Sequence, residues 1–203
     1  VTNNGTITAG SNVMEITGSG NVVIDWNSFN IAANEAVNFK NMQAVLNYVS
    51  GGSKSEIFGK LNGAGVNVFL VNPNGILFGK TAQVNVGQLT ASTRSLEKAD
   101  LNSFTGSLSP LDIGGAANVK ADIINLGKLK AGKLVLEGNN LSIIDAESLE
   151  VTDKSKITLR AGENINIGYE VTDKTTINVG DGKGNTHQVS DYGKGGGDKA
   201  SDV

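Results

Sequence analysis

The sequence predicts an all-β chain wound into the stacked coils of a parallel β-helix. Three observations point there. Short apolar runs recur between Gly- and Asn-rich corners, and both residues tolerate positive φ in tight turns. Glycine alone accounts for 27 of 203 positions. "KLVLEGNNLSI" (133–143) reappears as "KITLRAGENINI" (156–167) with one residue inserted. A repeat of roughly 20 residues made of strands and corners is the period of a solenoid. One coil has an apolar face too small to form a core, whereas stacked coils share one. The remainder of each coil then serves as the long crossover that parallel pairing requires.

Residues 1–26 read as strands, "GTITAG" and "NVMEITGSGNVVIDW", broken at Gly18-Ser19-Gly20-Asn21. Phe29, Ile31, Val37 and Phe39 follow as core positions. Met42, Val45, Leu46 and Val49 fall at i, i+3, i+4 and i+7, which makes 41–49 a short helix, with a strand as the alternative. From Ser55 onward strands follow one another through "SEIFGKLNGAG", "VNVFLVNPNGILFG" and "AQVNVGQLTAST", and 95–117 is less regular. The tract 118–180 is the most periodic. Leu134 aligns with Ile157, Leu136 with Leu159, Gly138 with Gly162, Leu141 with Ile165 and Ile143 with Ile167; Ile124 and Ile144 make a looser pair 20 apart.

The expected organisation is a single domain over 1–180. Residues 1–50 supply a cap and the first strands, because the open sheet edge must be covered, and 51–180 supply the coils. The Gly/Asp/Lys-rich end, 181–203, reads as a mobile tail or a last partial coil. The chain opens without a basic-then-apolar leader, so it is expected to be a trimmed fragment of a longer protein.

Composition excludes several classes. The net charge is −3, the pI is about 5.2, and arginine occurs only at Arg94 and Arg160, so no basic face for nucleic acid is expected. The chain has no cysteine, hence no disulfide framework and no thiolate metal site. No run approaches the ~18 apolar residues of a membrane span. Glu15, Asp25, Glu35 and Glu56 form no recognisable acid pair. The sole histidine, His187, lies in an exposed-looking turn, and "DGKGN" (181–185) reads as a plain turn.

"VFLVNPNGILFG" (68–79) is the most informative stretch. Asn72, Pro73, Asn74 and Gly75 occupy the four places of a type I turn with the residues each place prefers. The flanking run is apolar on both faces, Val66, Val68 and Leu70 on one and Phe69 and Val71 on the other. Such a strand is covered on both sides, by the solenoid core and by something outside it. The first reading of the motif is a structural turn; the second is direct contact with a partner. For Trp26 and Phe29 the reading is packing of the cap against the first coil.

Taken together, Trp26-x-Ser28-Phe29-Asn30-Ile31, then Asn72-Pro73-Asn74-Gly75-Ile76 with Phe78-Gly79, then Ala91-Ser92-Thr93, resemble the haemagglutination-activity or TPS domain. That domain stands at the N-terminus of exoproteins of Gram-negative two-partner (type Vb) secretion. The likeness runs from about residue 3 to about residue 180. It implies a right-handed parallel β-helix with an N-terminal cap and extra-helical strands. It implies a secretion signal and folding nucleus of a large adhesin- or haemagglutinin-type exoprotein, recognised by the periplasmic POTRA domains of an outer-membrane β-barrel transporter. Trp26, Ser28, Phe29, Asn30 and Ile31, with Asn72, Pro73, Asn74, Gly75 and Ile76, would be the partner-binding positions. It also implies a secreted or cell-surface monomer that is not an enzyme, has no cofactor or metal, binds no nucleic acid and is not embedded in a membrane. The absent cysteine pair points to the adhesin-like branch. One mode of recognition is addition of an unfolded strand-prone segment, 22–39 or 66–79, to a sheet edge of the partner.

Two other functions fit a β-helix. A polysaccharide-acting enzyme would need clustered acids and a poised Arg or Lys, but the two arginines are far apart in the chain. A direct adhesin for host glycan or protein would be helped by an aromatic platform, and only 5% of residues are aromatic.

Overall fold

The computed structural model describes residues 2–108, 119–144, 146–152, 156–168, 176–180, 186–190 and 197–199. The strands are β1 (Thr2–Ala9), β2 (Val13–Trp26), β3 (Ala36–Lys40), β4 (Ala44–Val49), β5 (Ser55–Ile57), β6 (Lys60–Val71), β7 (Ile76–Phe78) and β8 (Gln83–Ser92). After a one-turn helix, α1 (Lys98–Asn102), come β9 (Ile123–Asn125), β10 (Lys128–Ala131), β11 (Leu134–Ile143), β12 (Leu149–Val151), β13 (Ile157–Gly168), β14 (Thr176–Gly180), β15 (Thr186–Ser190) and β16 (Gly197–Lys199).

These strands wind into a β-solenoid of about six turns. Its interior is a set of ladders in which one inward residue per coil, nearly always apolar, sits above the next. Val22, Val45, Val68, Leu89, Leu134 and Ile157 form one; Ile24, Asn47, Leu70, Ala91, Leu136 and Leu159 form its neighbour. A second wall stacks Met14, Val37, Leu61, Val84, Leu129 and Leu149. A third stacks Ile31, Ile57, Phe78, Asn125, Ile143 and Ile167. Nearly all of these join one continuous buried core. Parallel pairing begins at Val13, and β1 alone lies antiparallel across the first coil.

Long strands bend from wall to wall at glycines. Gly65 has a φ of 74°, a region that β-carbons disfavour. Directly above it, a Cβ on Gly87 would stand 2.6 Å from the Gly65 carbonyl carbon, so the corner stacks only because both are glycine.

The predicted repeat is the observed ladder. Leu134, Leu136, Leu141 and Ile143 pair with Ile157, Leu159, Ile165 and Ile167. Gly138 pairs with Ala161 rather than Gly162, and the inserted residue is a register shift between Gly138 and Asn140. Ile124 pairs with Ser142, not with Ile144, because that wall is offset by 18 residues whereas Leu129 pairs with Leu149 at 20.

The helix predicted over 41–49 is instead strand β4. Val45 and Val49 face the core while Ala44 and Leu46 belong to an apolar cluster on the outer face. Burial on both faces gives a run of apolar residues that matches helical spacing by coincidence. His187 also departs from its reading as a turn residue, since it lies in β15 opposite Val179. The turn read at 181–185 falls outside the described residues.

The strand around Phe69 is covered on both faces, as its pattern requires. After Ser92 the chain leaves the stack and rejoins it at Ile123. The first part of this excursion lays Leu96, Leu101, Phe104 and Leu108 over Leu46, Phe69 and Val71. Phe104 meets Phe69 edge-on, with ring centroids 5.2 Å apart at 79°.

Because Leu136 is fully buried in the middle of its ladder, Leu136→Ala is expected to cost about 2–5 kcal/mol. Denaturant unfolding of the purified chain measures this. A loss below about 1 kcal/mol would mean that the inward ladders do not carry the stability.

Candidate functional site

The Asn-Pro-Asn-Gly motif forms the corner between β6 and β7. The Gly75 amide donates to the Asn72 carbonyl at 3.1 Å, closing the four-residue turn. The Asn72 Oδ1 accepts the Asn74 amide at 2.9 Å, the side-chain mimic of a turn that asparagine makes well. Gly75 has a φ of 110°, which accounts for glycine at the exit.

The turn is fastened to three other segments. Asn72 Nδ2 donates to the Ser53 carbonyl and to Ser55 Oγ, each at 3.0 Å. Its amide donates to the Ser92 carbonyl at 2.9 Å. Asn74 Nδ2 donates to the Gly51 carbonyl at 2.6 Å. The Ser55 amide donates to the Gly75 carbonyl at 3.0 Å, and the Ile76 amide to the Asp122 carbonyl at 3.1 Å. Asn72 is fully buried and Ile76 2% exposed; Pro73 is half-buried and Asn74 exposed.

Corners interrupt the strand ladder, so their backbone groups lack the regular partners that buried polar groups require. Asn72 supplies them with one side chain. Asn74 does the same from the surface. The chemistry of this site is hydrogen bonding between chain segments.

The earlier motif occupies the equivalent corner two coils away. Trp26 and Phe29 pack at 5.2 Å between ring centroids, and Trp26 Nε1 donates to the buried Asn47 Oδ1 at 3.1 Å. Asn30 Oδ1 accepts the Glu56 amide at 2.8 Å, and the Ile31 amide donates to the Glu56 carbonyl at 3.0 Å. Ser28 is exposed. The two motifs do not touch each other. They grip opposite sides of one intervening corner, 50–57: Trp26, Asn30 and Ile31 from the first coil, Asn72, Asn74 and Gly75 from the third. Gly51, Ser53 and Ser55, the acceptors of that grip, carry no motif of their own.

A second polar cluster was not legible in the sequence. Arg94 and Arg160, far apart in the chain, converge on Glu137 at 2.5 and 2.7 Å. Both arginines are engaged there, and neither stands free over a groove as a polysaccharide-acting enzyme would use it. Among the described residues, no group of three or more His, Cys, Asp or Glu is placed to hold a metal ion. No helix among them is long and apolar enough to cross a membrane.

Comparison with known proteins agrees with this geometry. The TPS secretion domain family matches residues 1–196. A heme/hemopexin-binding protein of Haemophilus influenzae is 36% identical over 150 residues, covering 70% of this chain and 16% of the relative. A second Haemophilus influenzae protein of that name is 44% identical over 89 residues, 42% of this chain and 10% of the relative. The chain thus spans about a sixth of the length of the first relative. The crystal structure of the HMW1 secretion domain from Haemophilus influenzae shares the fold, with a TM-score of 0.57 at 24% identity, over 94% of this chain and 46% of that one. With its inward ladders, outer cover and double-asparagine corner, the chain belongs to the TPS secretion domain family.

Proposed function

We propose that this domain is the secretion signal and folding nucleus of a large exoprotein, read by the periplasmic POTRA domains of an outer-membrane β-barrel transporter. The family match over residues 1–196 carries this reading. Residues 1–180 act as one unit, exported as a monomer and delivered to the cell surface. The partner reads Asn72, Pro73, Asn74, Gly75 and Ile76 together with Trp26, Ser28, Phe29, Asn30 and Ile31.

The relatives named for heme/hemopexin binding favour an exoprotein of that kind over an adhesin. On this reading the haem or hemopexin contact belongs to sequence beyond this domain. Haem titration followed by absorbance separates the cases. The full-length exoprotein should give a saturable Soret shift and this chain none; saturable binding by this chain alone would relocate the activity.

The two asparagines separate recognition from folding. Removing the buried Asn72 side chain orphans the Ser53 carbonyl, Ser55 Oγ and the Asn74 amide, so Asn72→Ala should lower stability by roughly 2–4 kcal/mol. Asn74 is exposed, and Asn74→Ala should cost under about 1 kcal/mol. If the motif is read by the transporter, Asn74→Ala still lowers export and pull-down on the POTRA domains by about tenfold or more, the weight of one lost charge-free contact cluster. Export at the wild-type level with Asn74→Ala would make the corner structural only. Leu136→Ala, remote from the motif, should slow export without weakening the pull-down, since each docked coil of roughly 20 residues nets only about 1–3 kcal/mol against sliding back.

A further inference from the structure

On the outer face of the stack, Asp25, Tyr48, Val71, Ser92, Glu137 and Arg160 form one ladder. Glu137 is 1% exposed and Arg94 7%. Arg94 Nη2 donates to Glu137 Oε2 at 2.5 Å, and Arg160 Nη1 donates to Oε1 at 2.7 Å. Each carboxylate oxygen therefore has its own guanidinium. Three distant parts of the chain meet here: Arg94 lies 43 residues before Glu137, and Arg160 lies 23 after it.

Arg94 stands where the chain leaves the stack. Its amide and its Nε both donate to Ser92 Oγ at 3.3 Å. Its backbone bridges to Val119, where the excursion comes back. Beside it, the Thr93 amide donates to the Glu137 carbonyl at 2.9 Å, and Thr93 Oγ1 donates to the Ala121 carbonyl at 2.8 Å. The root of the excursion is thus tied to the strand that carries Glu137 by backbone and by charge.

We propose that Glu137 is a latch for the outer cover. The excursion after Ser92 closes over Leu46, Phe69 and Val71 only when the coil bearing Glu137 has docked, and Arg160 from the next coil locks it. The cause is the expense of a buried charge. Closing the cover before Glu137 arrives would bury the Arg94 guanidinium without its carboxylate, and a buried charge stripped of its partner is strongly destabilising. Docking Glu137 without Arg160 would leave one carboxylate oxygen unanswered in a site that is almost dry. Closure of an early segment therefore depends on sequence that comes later. The cover and the last described coils close as one cooperative unit, although α1 and β13 share no ladder. This inference goes beyond the secretion reading and does not rest on it.

The chain has no native cysteine, so single thiols report opening. Val71→Cys places one beneath the cover, and Ala91→Cys places one inside the solenoid; both positions are fully buried. Thiol labelling is measured in the full chain with wild-type residues, with Glu137→Gln and with Arg160→Met. Glu137→Gln should raise labelling at position 71 on the order of a hundredfold while position 91 stays at its original rate. Arg160→Met should raise labelling at position 71 by about tenfold, since Glu137 keeps its bond to Arg94. Equal acceleration at 71 and 91, or no acceleration at 71, overturns the latch. If Glu137→Gln fails to fold, the ratio of the two rates in Arg160→Met decides alone.

Discussion

A single coil of this chain cannot exclude water from its own interior. Every other feature follows from that constraint. An apolar residue facing inward is dry only when the coils above and below cover it in register with an apolar or fully hydrogen-bonded side chain. The ladder from Val22 to Ile157 meets this condition six times over. Register matters more here than in an ordinary sheet, because a slip by one residue would turn a whole rung inside out. The register shift after Gly138 absorbs an extra residue at a corner, where it does not disturb the inward face on either side.

Corners set the second requirement. Where a strand bends, its amides and carbonyls lose ladder partners, and a side-chain amide can replace both kinds of partner at once. This explains the heavy use of asparagine. Asn30, Asn72 and Asn125 each fasten a turn to its neighbour. Asn62 donates to Asn38, and Asn164 to Asn140, each at 2.9 Å between adjacent coils. Stacked asparagines satisfy one another without regard to how many coils are added, so a ladder can be extended without new chemistry.

Periodicity made the solenoid and its inward residues legible, since Leu134 through Ile143 repeat one coil later. The two-faced strand at 66–71 announced an outer cover before any tertiary contact was known, because Phe69 and Val71 had no other place to bury. Residues 41–49 misled for the same reason: a strand buried on both faces loses its alternation, and its apolar positions then satisfy a helical template too. The Glu137–Arg160 pair was not read from the sequence, although the two residues stand at equivalent places in adjacent coils. Nor was Arg94, since it belongs to no repeat and reaches Glu137 only through the path of the excursion. Ser53 and Ser55 were equally silent: small polar residues at a corner signal a turn and give no hint of what docks on them.

Asn72 has a consequence for the order of events in export. A carboxamide sealed inside the finished coil can be inspected by another protein only while that coil is still open. A recognition role for Asn72 would therefore end when the coil folds. If the transporter reads Asn72, a chain that has wound up past residue 92 no longer displays that part of the address, and only Asn74 stays exposed. Release and irreversibility would then come from one side chain changing its neighbours, with no separate switch to flip.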